Sequence, residues 1–595
     1  MQIFDPLTAG RETARSLGHA LRERFRTRDG WFLLLALAVG LLGGALTLLQ
    51  HALAHGMQAW WYGLEGDDAR LSTLQDIDPG KLLFLPLCGL LVGLISLAAR
   101  ARKRQLVDAV EANALYGGRM SMRDNLIVST QTLLSNGSGA SVGLEAAYAQ
   151  MGAGAGSWLG RALHLRRADV RTLVGTGAGA AIAAAFGAPL AGAFYAFEIV
   201  IGAYSPSALA PVAVAVLGAA ALCAAAGASP YLLPAPTGIG LEFGDYALYA
   251  LLGLACALVG VAVMRLVTLI EYGVNRSPLP PWARPAIGGL LLVPMAMATP
   301  QILSSGHGAL HLDLTTHTPL QWLAVLLLLK CLASGVSLGF GFRGGLFFAS
   351  LFMGSLVGAV FSGLLAWLSG HAMIDANGAA LIGMAALAAA VVGAPMTMAM
   401  LVLEGTHDFA LTSAVIAAVL VSSTVTRQVF GYSFSTWRMH LRGAEIKSAR
   451  DVGWIRSLDA DSMMRRDVDT VPAALSVAEF RQRFPLGSAT RAVLVDDENR
   501  YAGIAVLANL YADRVKPQAP VSDYASNTDV ALAADADAVA IMRQFDLAQS
   551  DELAVVDGER HVLGVLSESF VRKRYAEELD KRQRELLGER VDGAD

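Results

Sequence analysis

Charge is scarce in this chain. Of its 595 residues only 16% are Asp, Glu, Lys or Arg, against about 25% in an ordinary soluble protein, while 54% are hydrophobic. Something other than water must solvate much of it. The net charge of −4, with no long run of one sign, leaves no basic footprint for nucleic acid. Cysteine is nearly missing as well. Cys88, Cys223, Cys256 and Cys331 all lie in apolar stretches, without C-x-x-C spacing or a histidine partner. This argues against a disulfide framework or a thiolate metal site and makes them packing residues. No nucleophile–base pair, phosphate loop or metal-ligand cluster stands out, so neither an enzyme nor a bound cofactor is expected.

What the chain does have is apolar length. A helix needs about 20 apolar residues to cross a bilayer, and segments 31–54 and 81–98 meet that requirement. The first begins only after a polar stretch carrying Arg11, Arg15, Arg22, Arg24, Arg26 and Arg28. It is too late and too long for a cleaved leader and is expected to stay in the mature protein. These arginines and the basic cluster at 100–104 flank the two spans on one side, whereas Asp67, Asp68, Asp76 and Asp78 occupy the loop between them. By the positive-inside rule the N-terminus is cytoplasmic.

Further apolar segments follow near 123–134, 170–186, 188–203, 208–227, 244–270, 284–298, 318–334, 346–368, 377–393, 395–405 and 409–424. Several are too short to cross alone. Short pieces broken by Gly and Pro read as discontinuous helices, whose free ends must face protein or a water-filled path.

These segments repeat. Ala185-Phe186-Gly187-Ala188-Pro189 precedes Glu198 much as Val391-Val392-Gly393-Ala394-Pro395 precedes Glu404. Upstream, Ser138-Gly139-Ala140-Ser141-Val142-Gly143 likewise has its counterpart in Ser334-Gly335-Val336-Ser337-Leu338-Gly339, again following an apolar helix. Duplicated units with matching broken helices point to a transport pathway between repeats near the midplane. The plainer alternative is that G-A-P marks helix packing through small residues.

With these residues in hand, the chain resembles the CLC family of chloride channels and proton-coupled chloride antiporters. A-A-A-F-G-A-P-L-A-G at 183–192 is similar to that family's A-A-A-F-N-A-P-L-A-G. Gly143-Leu144-Glu145-Ala146-Ala147 stands where the family has G-[KR]-E-G-P, and Gly344-Gly345-Leu346-Phe347-Phe348-Ala349 where it has G-G-x-F-x-P. The resemblance implies an α-helical polytopic membrane protein of inverted-repeat fold with discontinuous helices. Its transmembrane domain would span 31–440, with repeats at about 31–230 and 244–430, after a cytoplasmic segment 1–30. It also implies a multi-pass protein of the cell inner membrane with cytoplasmic termini, a homodimer, and chloride or another small anion as the transported partner, with protons as the partner of an antiporter.

By the same resemblance, an anion site would involve Gly143, Gly345, the backbone amides of Leu346 and Phe347, and the hydroxyl of Tyr432. Helix N-termini can bind anions without lysine or arginine. The other reading of Tyr432 is an interfacial aromatic anchor. Glu145 would be the gate, its carboxylate occupying the outer anion position until protonation or chloride displaces it. An intramembrane carboxylate is a functional candidate by default; the plainer reading is a helix-end residue bonded to nearby amides.

Three departures bear on mechanism. The family's G-S-G-I-P is absent, since that region reads Arg102-Lys103-Arg104-Gln105-Leu106-Val107, and the serine that usually contacts the anion goes with it. Where many antiporters carry two adjacent glutamates, this chain reads Glu198-Ile199, which favours channel-like conduction over proton-coupled antiport. Arg343 replaces a usually small residue before the Gly344-Gly345 break. A non-transporting membrane sensor is the remaining alternative.

After about residue 437 the composition turns soluble. Runs 491–495 and 501–506 read as strand, turn, strand, then a helix from Ala508; runs 552–556 and 562–566 repeat that order before a helix at 567–576. Beyond a linker at 441–459, this cytoplasmic α+β part resembles a tandem CBS domain pair over 460–578, divided at about 516/520, with a charged tail at 579–595. Such pairs often bind adenine nucleotides through G-h-h-[ST]-x-x-D. Here the copies offer Gly503-Ile504-Ala505-Val506 with Asn509 and Gly564-Val565-Leu566-Ser567 with Phe570. Neither set is complete, so a structural or dimerising role is expected, with adenine nucleotide binding as the alternative.

Overall fold

The computed structural model of the chain describes residues 29–64, 70–102, 106–228, 243–315, 318–441, 458–488 and 490–587. The arginine-rich start, Asp67, Asp68, Lys103, Arg104 and most of the expected linker lie outside them. The chain separates into two compact units, Met1–Asp451 and Val452–Asp595.

The first unit is helical. Seven helices among the described residues are long and apolar enough to cross a membrane: Gly30–Tyr62, Pro79–Ala101, Pro206–Ala225, Gly244–Arg276, Leu320–Gly339, Phe347–Ser369 and Phe409–His440. Leu328, Leu217 and Leu258 stand exposed on three of them, as lipid-facing side chains would. Pro189–Ile201, Arg284–Ala298 and Ala376–Val392 are apolar but shorter.

Each apolar segment read from the sequence is a helix. The short helices Ala109–Leu115, His307–Thr315 and Phe434–Leu441 were not among them. Nor was a longer one, Glu145–Ala162, which is rich in Ala and Gly with little aliphatic bulk, yet is largely buried. Its small residues permit close approach of backbones. A Cβ on Gly152 would fall on the Gly177 carbonyl of the Arg167–Phe186 helix, and a Cβ on Gly177 on the Gly152 carbonyl. The second repeat does the same, where a Cβ on Gly354 would strike the Gly383 carbonyl between Phe347–Ser369 and Ala376–Val392.

The repeat is real, with one correction to its register. Ser334–Gly339 closes the Leu320–Gly339 helix, whereas Ser138–Gly143 lies in the loop after the Met122–Gly137 helix. The structural counterpart of Ser138–Gly143 is therefore Phe340–Gly345. Gly139 and Gly341 both turn the chain in the left-handed region, at φ 92° and 99°. Gly139 accordingly matches Gly341, and Glu145 matches Phe347 as first residue of the next helix. The two similar strings touch rather than correspond: Ser141 N–H donates to Ser337 Oγ at 3.0 Å, and the Ser141 and Ser334 hydroxyls lie 3.0 Å apart.

The second unit holds two three-stranded sheets. β1 (Thr470–Pro472) runs parallel to β2 (Arg491–Val495), which pairs antiparallel with β3 (Tyr501–Val506). β4 (Leu532–Ala533), β5 (Glu552–Val556) and β6 (Val562–Ser567) repeat that order. Even the irregularity recurs, between Leu494 and Val495 and between Val555 and Val556. Helices Val477–Arg483 and Ala538–Ala548 enter each repeat between its first two strands. The helix after β3 is a single turn, Leu507–Leu510, while that after β6 runs from Glu568 to Leu587, into the stretch expected to be a charged tail.

Candidate functional site

The site is made where the two repeats break. After Gly139 and Gly341, the loops meet in a two-residue antiparallel bridge: Gly143 N–H donates to Gly345 C=O at 2.9 Å, and Gly345 N–H to Gly143 C=O at 3.3 Å. Two residues further on, helices Glu145–Ala162 and Phe347–Ser369 begin. Two helix N-termini, each with orphan amides and partial positive charge, thus start side by side.

Glu145 is the first residue of its helix and is 2% exposed. The Phe348 backbone amide faces its carboxyl group. Its Oε2 is buried with no hydrogen-bond partner. Gly143 makes room for it, since a Cβ there would collide with Oε2. Leu346 and Phe347, which open the facing helix, are both buried. The Phe347 ring lies 5.4 Å from Phe186 and 6.1 Å from Tyr195, the latter edge-on; Phe348 stacks on Phe186 at 6.1 Å and on His307 at 3.3 Å. Gly143, Glu145, Gly345, Leu346 and Phe347 are therefore brought together.

Tyr432 is placed differently. It packs among Phe430, Trp437 and His440, and its hydroxyl lies 3.3 Å from His440 Nδ1. Arg343 donates its backbone N–H to Ser135 Oγ at 3.1 Å.

The carboxylates at the ends of the G-A-P helices serve each other's repeat. Glu198 accepts the N–H groups of Met396 at 3.0 Å and Thr397 at 2.9 Å, plus the Thr397 hydroxyl at 2.7 Å. Glu404 accepts those of Leu190 at 2.8 Å and Ala191 at 2.9 Å. Each thereby caps the helix that follows the other repeat's Gly-Ala-Pro, where proline and the helix start leave amides free. Glu198 sits in a π-helical turn, Ala196–Ile201. Ile199, in the same turn, packs against Val110, Ala114 and Met439.

Sequence reading passed over several polar groups of the helical unit. Lys330 is 0% exposed and donates to the carbonyls of Ile302 and Ser304, both at 2.9 Å. The signal was available, because an intramembrane lysine is a functional or structural marker by default. Tyr148, one turn beyond Glu145, approaches His51 Nδ1 at 3.4 Å, and His51 Nε2 lies 3.3 Å from Arg70 Nη1. These three come from separate segments, and no motif announces them.

Residues 88–427 match the family model described as voltage gated chloride channel. A ClcB-like chloride channel protein of Ralstonia nicotianae is 31% identical over 388 residues, covering 63% of this chain and 89% of its own length. Among solved structures, a slow cyanobacterial Cl−/H+ antiporter superposes with a TM-score of 0.60 at 23% identity, covering 70% of this chain and 98% of its own. A eukaryotic CLC transporter superposes with 0.58 at 15% identity and covers 93% of this chain and 98% of its own. At these identities the structural likeness speaks to fold.

Proposed function

Because this chain belongs to the voltage-gated chloride channel family, we propose that it carries chloride or a similar small anion across the bacterial inner membrane and that Glu145 gates the path. The observation that carries the reading is the Glu145 carboxylate, buried against the start of the facing helix with one oxygen unpartnered. Helix N-termini stabilise either that carboxylate or an anion in its place. Partial charges hold such an ion loosely enough to release it. In this reading the backbone amides at Leu346 and Phe347, framed by Gly143 and Gly345, form the inner part of the site, and the Tyr432 hydroxyl, 3.3 Å from His440 Nδ1, contributes to the same path. The test is chloride efflux from liposomes: Glu145→Gln is expected to raise flux and flatten its pH dependence, and unchanged flux with unchanged pH dependence overturns the assignment.

Conduction is channel-like in this reading. The apolar packing around Ile199 supports weak or absent proton coupling, since no acid occupies that position. Proton-coupled antiport is the second reading, favoured by the antiporter superposed on 70% of this chain. A chloride gradient imposed on proteoliposomes separates them, with little proton movement expected and robust uphill proton pumping overturning the channel reading.

The protein works as a homodimer with both termini cytoplasmic, and Arg100 and Arg102 at the end of the second span support that orientation. The tail acts structurally or in dimerisation rather than as an adenine nucleotide sensor, because Asn509 and Phe570 stand where the nucleotide-binding acid is needed. Isothermal titration of the full protein with ATP and AMP tests this, and saturable heat would overturn it.

A further inference from the structure

We propose that the Tyr195 hydroxyl is a hydrogen-bond donor to the permeating anion and helps to set which anion is preferred. The inference rests on the anion-path reading above and adds a residue to it.

Tyr195 ends the Pro189–Tyr195 helix. Its side chain is enclosed, with the residue only 9% exposed, yet its hydroxyl makes no hydrogen bond among the described residues. The hydroxyl is not among the fully buried unpartnered atoms, so solvent-sized species have access to it, and a hydroxyl with no protein partner takes one from water or ligand. Here the surroundings indicate which. The ring meets Phe347 edge-on at 6.1 Å, and Phe347 opens the helix whose amides form the anion site. Asp108 and Glu145 are the two charged groups that act electrostatically on the phenol. The phenol thus feels the charge of the gate and of Asp108, just beyond the stretch 102–107 that lacks an anion-contacting serine.

The position is also held rigidly. A Cβ on Gly192 would strike Gly179 C=O, and one on Gly179 would strike Gly192 C=O, so the short helix is pressed backbone to backbone against Arg167–Phe186. Directly after Tyr195 the chain enters the π-helical turn Ala196–Ile201, a distortion frequent at functional sites. A fixed donor of this kind can contact an anion without reorganisation. Tyr246, on the Gly244–Arg276 helix with its hydroxyl 2.6 Å from Ser413 Oγ, is the natural control.

The experiment is chloride binding to the purified full-length protein by isothermal titration, together with chloride, nitrate and fluoride reversal potentials in proteoliposomes. Tyr195→Phe is expected to weaken chloride binding about ten- to hundredfold, the loss of one hydrogen bond to a charged group, and to change the order of anion preference. Tyr246→Phe should leave affinity within about twofold. Wild-type affinity and selectivity in Tyr195→Phe would overturn the proposal while leaving the anion path intact; an unaltered protein that neither binds nor carries any of the three anions would overturn both. Should Tyr195→Phe not be recovered folded, Tyr195→His, which keeps a ring and a donor, is expected to retain more than a third of wild-type affinity, and complete loss of binding there would also overturn it.

Discussion

Gly143 and Gly345, equivalent residues of opposite repeats, exchange both of their backbone hydrogen bonds, at 2.9 and 3.3 Å. They are not equivalent in what surrounds them. A Cβ on Gly143 would overlap the Glu145 carboxylate, while a Cβ on Gly345 would meet Ala146 Cβ at 3.4 Å, an ordinary contact. Gly143→Ala should therefore push the Glu145 carboxylate out of its place. Liposome efflux for this variant is expected to approach that of Glu145→Gln, with raised flux and a flattened pH profile, whereas Gly345→Ala stays within about twofold of the parent, as a tolerated small substitution does. Equal effects from the two alanines would show that the glycines serve the bridge alone.

The crossed caps make a second prediction. Glu404 holds two amides of the first repeat, and hydrogen bonds to a charged group contribute about 1.5–3 kcal/mol each, less where solvent screens them. Glu404→Ala should lower the thermal midpoint in detergent, consistent with a loss of about 1–3 kcal/mol, and Glu404→Gln, which keeps one acceptor oxygen, should cost less. Glu198→Ala should destabilise to a similar degree through Met396 and Thr397. Midpoints unchanged in both alanine variants would remove the caps from the stability of the fold.

Much of this architecture was legible because its signals are local. The Gly-Ala-Pro breaks, the apolar segments and the strand-turn-strand runs of the tail each depend on a few neighbouring residues, and each stands where it was read. The Glu145–Ala162 helix was not seen because hydropathy measures affinity for lipid, and this helix is buried in protein, where Gly152, Gly154 and Gly156 serve approach rather than apolarity. The register of the Ser-Gly strings went wrong by six residues because likeness of letters and equivalence of backbone are different properties; Ser141 and Ser337 are partners, not counterparts. The reciprocal capping by Glu198 and Glu404 joins residues far apart in sequence, and nothing local to either glutamate names its target. Tyr195 carried no motif, and only its buried ring against Phe347 and a hydroxyl without a protein hydrogen bond among the described residues single it out.

Lys330 supplies a third prediction. Its ammonium holds the Ile302 and Ser304 carbonyls at 2.9 Å and lies 5.7 Å from the centre of the Phe352 ring. The loop it anchors is tied to the first repeat, since Ser304 N–H donates to Gly139 C=O at 2.9 Å and Gln58 Nε2 approaches Ser304 Oγ at 3.3 Å. Lys330→Met keeps the apolar stem and orphans both carbonyls, at about 1–3 kcal/mol for a buried unsatisfied group. A lower thermal midpoint is expected. A higher one would mean that the cost of burying the ammonium exceeds the value of its bonds.

The last prediction concerns pH and the tail. Asp496 and Asp557 occupy matching turns in its two repeats. Asp496 accepts N–H groups from Glu498 at 3.1 Å and Arg500 at 2.8 Å, and Asp557 from Glu559 at 2.9 Å and His561 at 2.8 Å. These backbone donors, Arg500 N–H and His561 N–H foremost, hold both carboxyls below the usual carboxylate range. A carboxylate depressed by folding stabilises the native state above its unfolded pKa of about 3.9, and that contribution is lost as pH falls through the lower folded value. Both turns are exposed, so the effect is local. Hydrogen–deuterium exchange of the full-length protein should show the Arg500 and His561 amides losing protection as pH drops from about 5 to about 3, once intrinsic exchange is corrected for. In Asp496→Asn the Arg500 amide should be less protected at the upper pH and nearly insensitive to the drop, because the side chain no longer has a charge to lose; in Asp557→Asn the same should hold for His561. Parallel pH profiles in parent and variants would show that the turns are held by their strands and not by these carboxylates.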